Sequence, residues 1–265
     1  MDLDLHKIIE YEKINSLCLR PLMGVMAGFD LILRDDLALI CTPEYPTTDG
    51  NHAFLLRTSD QRADALIDEV IGYFKTRDLP PAVFLSPACI PTDLPQRLLR
   101  HGFDKQETDE SWMVYEHLQA ARVPKTDPRI VVRLVEGSEA KLFASVMASG
   151  YEMPPEWVPM LAKGLAQSLH VPTFRNYLAL IDEQPLATLT LYRYNEYAIV
   201  GGASVVPQYR GSSLIFNLTV NVLKQARNEG VDTAILQTIL GPTFERFLRI
   251  CGFKLAFRRT GYIMQ

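Results

Sequence analysis

Residues 197–216 hold the combination in this chain whose residue types and spacing suit the grip of an anion. Ten residues of strand-like composition, from Tyr197 to Val206, stop at Pro207. Gln208, Tyr209, Arg210 and Gly211 then make a tight turn, and Leu214, Ile215, Leu218, Val222, Leu223 and Ala226 recur at helical spacing. A strand feeding a short loop and a helix start presents N–H groups that have no partner inside the helix. The helix dipole adds partial positive charge there. Gly211 lets the backbone turn and approach a ligand closely, and Ser212 or Ser213 supplies a cap or a hydroxyl donor. By itself the pattern suits a plain helix cap as well as a ligand loop, so its surroundings must decide.

A side chain placed to act as a general base is harder to find. Glu152, beside Tyr151, follows a helix-ending glycine in an interhelical loop; Gln237 and Thr238 end a strand and suit the ordering of a water. Met153, Trp157, Tyr192 and Tyr194 fit either the wall of a pocket or plain core. Glu196 starts its strand about nine residues before Val205, roughly 30 Å at ~3.3 Å per residue, too far for proton transfer, and reads as a turn residue.

These elements sit in a chain of 265 residues, enough for one large domain or two ordinary ones. With 48% hydrophobic residues it can build a proper core. The formal charge of -4 gives no global reason to bind nucleic acid or an acidic membrane. Cys18, Cys41, Cys89 and Cys251 lie far apart, as do the five histidines, so neither a metal site nor a disulfide framework is indicated. The N-terminus lacks the apolar run of a signal peptide, and no window approaches the ~20 apolar residues of a membrane span. A soluble cytoplasmic protein is expected.

In the first half, periodicity predicts a helix over 3–18, strands over 37–41 and 52–57, and a polar loop over 43–50. A helix capped at Ser59-Asp60, a buried strand over 82–86, a short helix over 94–101 closed by Gly102, and strands within 103–117 follow. Residues 119–128, with two prolines, read as a linker. The second half begins with a strand over 129–135 and helices over 139–148 and 155–169. Strands over 177–181 and 186–194, the strand and helix described above, a strand over 232–238, a helix over 242–250 and a closing strand over 254–264 complete it. At an offset of 150 residues the halves match. Strand 82–86 falls on 232–236, and Leu98 to Phe103 falls on Leu248 to Phe253 with Gly-Phe in common. The chain reads as a duplicated fold. Opposite Pro207–Ser212, however, the first half has Arg57–Arg62, without glycine and with Asp60 where an anion would sit.

The element order, together with Val205-Val-Pro-Gln208-Tyr-Arg-Gly211-Ser-Ser213, resembles the GNAT superfamily of N-acetyltransferases, in the tandem type with a degenerate N-terminal copy. The resemblance implies an α/β (α+β) fold of two GNAT-like domains, each a mixed, mostly antiparallel sheet flanked by helices. They would be residues 1–118, degenerate, and 129–265, which binds acetyl-CoA, joined by the linker 119–128. It also implies that the backbone of residues 209–214 (Tyr209, Arg210, Gly211, Ser212, Ser213 and Leu214), with Gln208 leading in, cradles the pyrophosphate of acetyl-CoA. Ser204, Val205 and Val206 would pair with the pantetheine arm, and the Val205 and Val206 backbone would face the thioester oxygen. The sequence departs from the family pattern at Ser213, where Gly or Ala is usual, at Gly241, where Asn is common, and at Leu248, where many members carry a proton-donating tyrosine.

The function implied is acetyl transfer from acetyl-CoA to the amine of a small molecule or peptide. Attack is direct, within a ternary complex, because no cysteine lies in the signature loop. Glu152 and Gln237 are the catalytic candidates, the acceptor is unspecified, no nucleic acid, membrane or metal is expected, and a homodimer is left open. The alternative is a non-catalytic acyl-CoA-binding or interaction protein, the reading that Leu248 favours.

Overall fold

The computed structural model describes residues 4–26, 28–45, 47–122 and 124–265. The first half of the chain forms α1 (Leu5–Leu19), β1 (Asp30–Leu33), β2 (Ala38–Cys41), β3 (Asn51–Phe54), α2 (Ala63–Lys75), β4 (Ala82–Leu85), α3 (Leu94–Arg100), β5 (Asp104–Lys105) and β6 (Glu110–Tyr115). The second half forms β7 (Val131–Leu134), α4 (Ala140–Gly150), α5 (Val158–Ser168), β8 (Phe174–Ile181), β9 (Gln184–Tyr194) and β10 (Tyr197–Val205). It closes with α6 (Leu214–Asn228), β11 (Thr233–Thr238), α7 (Gly241–Ile250) and β12 (Lys254–Ile263). The fold is mixed α/β, as expected. Strand β1 has no counterpart in the sequence reading: only Leu31 of its four residues is buried, whereas the equally short β2 and β3 are buried throughout. The expected start of the first helix at residue 3 lies outside the described residues; Asp4 caps it, accepting from the N–H groups of His6 and Lys7.

The chain divides into two compact units, and neither is contiguous. The first comprises Met1–Met113, Gln237–Glu245 and Leu255–Gln265; the second comprises Val114–Leu236 and Arg246–Lys254. Nearly all of β12 therefore belongs with the first unit, where it runs antiparallel to β4 with Tyr262 opposite Val83.

In the first unit β1, β2 and β3 are antiparallel neighbours, and β4 joins β3 in parallel, Ala53 opposite Val83. The apolar side of α2 (Leu66, Ile67, Val70, Phe74) is buried with Leu39, Val83, Leu94 and Phe103 in one core. A charged cluster is also buried here. Arg259, 1% exposed, lies 3.5 Å from Glu12 and donates to Glu110 at 2.7 Å, and its guanidinium stands 4.7 Å from the Trp112 ring centre. Glu12 also accepts from Ser86 at 2.7 Å. Burial pushes the Glu12 carboxyl up to about 7 against the pull of Arg259 and Ser86.

The second unit repeats the plan. β7, β8, β9 and β10 are successive antiparallel neighbours, and β11 joins β10 in parallel with Val200 opposite Leu236. Phe143 and Val146 of α4 pack on Leu178 and Leu180 of β8, while α6 packs against β8, β9 and β10.

The duplication shows most clearly in two helix ends. The Phe103 N–H reaches back to the Leu98 carbonyl at 3.0 Å, and the Phe253 N–H reaches the Leu248 carbonyl at the same distance. Gly102 and Gly252 both take left-handed backbone, φ 87° and φ 105°, as this helix-ending motif demands. Each following phenylalanine is buried.

Candidate functional site

The site is assembled where β10 ends and α6 begins. The parallel ladder between β10 and β11 stops at Val200 and Leu236, yet β10 continues through Gly201 to Val205. Over that stretch its pairing with β9 shifts register between Gly201 and Ser204. The Thr188 hydroxyl holds the irregularity, donating to the Gly202 carbonyl at 2.9 Å and lying 2.7 Å from the Ser204 hydroxyl. Gly202 sits at φ 58° with the Thr190 hydroxyl in the way of any Cβ. The Val206 N–H donates to the Leu186 carbonyl at 2.9 Å. Ser204 faces β9 opposite Thr188, so the alternation of the ladder turns the Val205 N–H and carbonyl to the other edge, which has no strand partner in the second unit. Of the two N–H groups expected at a thioester oxygen, Val205 therefore supplies the available one.

Pro207–Tyr209 form a single 3-10 turn, Arg210 is extended, and Gly211 takes φ 77°. No atom lies within 4 Å of where a Gly211 Cβ would stand, so the space beside it is open. Ser212, rather than Ser213, caps the helix. Its hydroxyl donates to the Tyr209 carbonyl at 2.6 Å and accepts from the Leu214 N–H at 3.3 Å, while the Ser213 side chain makes no cap bond. Among the described residues no protein acceptor takes the N–H groups of Gly211, Ser213, Ile215 or Phe216. No acidic residue lies in the first turn of α6. The start of α6 is an array of unpaired donors with the positive end of a helix behind it. Gln208 and Ser213 are exposed and Tyr209 is half-buried.

The loop after α4 reaches this array. Arg210 donates from Nη1 to Glu152 Oε1 at 2.7 Å and from Nη2 to the Gly150 carbonyl at 2.8 Å. Gly150 is pressed against the end of β10; a Cβ there would stand 2.6 Å from the Ser204 hydroxyl oxygen. Sequence reading places Glu152 near the acceptor and Arg210 near phosphate, but nothing in a separation of 58 residues announces their pairing.

Gln237, the other catalytic candidate, belongs to the segment of chain counted with the first unit. Its Nε2 is buried with no hydrogen-bond partner among the described residues, an orphaned donor of the kind that orders a water. Leu248 is 1% exposed and offers no proton. Tyr192 stacks edge-on with Phe174, and burial pushes its hydroxyl up to about 12. It is a packing residue. Among the described residues no cluster of His, Cys, Asp and Glu could hold a metal, and no helix is long and apolar enough to cross a membrane.

No family model and no curated protein matches the chain. Solved structures do match along nearly its whole length. A GCN5-related N-acetyltransferase from Kribbella flavida superimposes with a TM-score of 0.67 at 15% identity, covering 95% of each chain. One from Sphaerobacter thermophilus gives 0.64 at 14% identity, covering 95% of this chain and 90% of its own. A tandem GNAT protein from the clavulanic acid biosynthesis pathway, without AcCoA, gives 0.61 at 12% identity, covering 93% and 86%. At such identities the likeness is one of fold, and it spans both halves: the chain has the fold of the GCN5-related N-acetyltransferases in their tandem form.

Proposed function

We propose that the second half of this protein is an acetyl-CoA-dependent N-acetyltransferase acting on the amine of a small molecule or peptide. The observation that carries the reading is the set of unpaired N–H groups at Gly211, Ser213, Ile215 and Phe216. They meet no carboxylate and adjoin the unpaired edge of β10. A diphosphate suits the first, and the amides of a pantetheine arm suit the second. In this reading the unit of function is the repeat, residues 129–265 behind the linker 119–128, with residues 1–118 as its degenerate copy.

Acetyl-CoA supplies the acetyl thioester; the chain's residues bind and orient it. Ser204, Val205 and Val206 line the arm, Gln208 to Leu214 hold the phosphates, and the Val205 N–H faces the acyl oxygen, where charge develops during transfer. Glu152 accepts the proton that the attacking amine must lose. With Leu248 apolar and buried, the departing sulfur takes its proton from water.

The test is calorimetric titration of CoA into the parent and into an Arg210→Glu/Gly211→Glu variant shown to be folded. Uptake by the parent and its loss in the variant are expected; equal uptake overturns the assignment. Thiol release on mixing acetyl-CoA with an amine panel then separates the enzyme from a non-catalytic acyl-CoA binder, which would bind CoA and release no thiol.

A further inference from the structure

We propose that Glu152 and Arg210 form a displaceable latch: the diphosphate of the incoming ligand takes Arg210 from Glu152 and frees the carboxylate for the acceptor amine. The inference rests on the acetyl-CoA reading above and adds to it an order of events.

Three observations carry it. Arg210 is the only cationic side chain between Pro207 and Leu214, and both ends of its guanidinium are held by one loop, at Glu152 and at the Gly150 carbonyl. That loop bears on Ser204 and Val205, since a Cβ on Gly150 would lie 2.6 Å from the Ser204 side chain and 2.9 Å from the Val205 nitrogen. The latch thus joins the phosphate loop to the end of the strand that would carry the pantetheine arm. Third, Glu152 holds φ 55°, a left-handed conformation just past the end of α4, where glycine is the favoured residue. The backbone is kept by bonds from the Glu152 and Met153 N–H groups to Ser149 and Ala148, none of which needs a glutamate. The side chain at this strained place is explained by what its carboxylate meets, and that is Arg210.

The pair is built to yield. Both side chains are about half exposed or more, 49% and 64%, so the contact is worth only a factor of about two to five in an equilibrium. A diphosphate offers a guanidinium more charge and several acceptor oxygens, against one carboxylate oxygen here. The carboxylate gains its freedom only when the ligand is in place, so the amine meets an available base after acetyl-CoA has bound.

The experiment titrates CoA into the parent, Glu152→Gln, Glu152→Gly, Arg210→Gln and the Arg210→Gln/Glu152→Gln pair. It also follows thiol release with acetyl-CoA and amines. Both Glu152 variants should bind CoA about two- to fivefold more tightly than the parent, since no pair must be broken first. Both should release thiol at least tenfold more slowly at saturating acetyl-CoA. Glu152→Gly should also unfold at higher denaturant, its backbone strain relieved. In the Arg210→Gln background, Glu152→Gln should bring no gain in affinity. Parent-like or weaker CoA binding by both Glu152 variants overturns the latch while leaving the acetyl-CoA reading intact. Failure of the parent to bind CoA overturns both.

Discussion

The loop that leads into α2 and the loop that leads into α6 occupy the same place in the repeat and reach opposite ends. In the first, the edge beyond β3 is closed by the protein itself. The Ile90 N–H donates to the Leu56 carbonyl at 2.9 Å, and the Thr58 N–H donates to the Ile90 carbonyl at 3.1 Å. Arg57 bridges Ile90 in parallel and reaches the Ala88 carbonyl. Asp60 and Asp64 stand in the opening turns, with Arg97 2.5 Å from Asp64. In the second, the edge beyond Val200 carries no strand among the described residues, Gly211 opens the turn, and the helix start carries no acid. The scaffold is common to both, down to the hydrogen bonds of Phe103 and Phe253. What separates the two loops is whether the edge is sealed and which charge sits at the helix start.

The largest break in this comparison lies inside the first unit, whose core holds charges. Arg259→Ala should strip two buried carboxylates of their partner and destabilise the protein by about 3–5 kcal/mol in urea unfolding. A loss below ~1 kcal/mol would mean that the cluster is solvated. Glu12 makes a related pH prediction. Its folded pKa, about 7, lies above the ordinary 4.5, so the folded state holds the proton more firmly. The stability it contributes is full below about pH 4.5 and is lost as pH rises to about 7. Measured against Glu12→Gln, the parent should fall behind by about 2–3 kcal/mol between pH 5 and pH 8. A difference independent of pH would refute the raised value.

The matched glycines give a smaller contrast. Gly102→Ala meets open space and should cost only the left-handed strain, about 1 kcal/mol, whereas an alanine at Gly252 drives its Cβ into the Tyr115 ring and should cost about 1–3 kcal/mol more. Equal losses would show that Tyr115 moves aside freely. Smallest is the effect of an acid placed at the start of α6. Ser213→Asp should weaken CoA binding about tenfold by repulsion while leaving unfolding unchanged, since aspartate caps helices well. Removing an acid from the first loop, Asp60→Ser, should confer no CoA binding, because Ile90 still closes that edge.

Much of the scaffold was legible before any coordinates. α2 and α6 declare themselves by apolar spacing, the turn at Gly211 by its glycine, and the repeat by a shared Gly-Phe at a fixed offset. Strand β1 was not legible, nor was the grouping of β12 with the first unit, since a strand's pattern names its buried face and not its neighbour. The candidate site divided in the same way. Gly211, Arg210 and the serines were legible as a loop, but the available Val205 N–H, the Thr188–Ser204 contact and the capture of Arg210 by Glu152 were not.

The sequence by itself determined the helices, the turns and the place where a glycine turn opens α6, because these follow from backbone preferences and burial within a few residues. Only the tertiary structure decided which distant groups meet: Glu12 with Arg259 across 247 positions, Ile90 on Leu56, Glu152 on Arg210. Such meetings depend on how whole elements stack. A charge or an open strand edge carries no mark, in its own stretch of sequence, of the partner that will satisfy it.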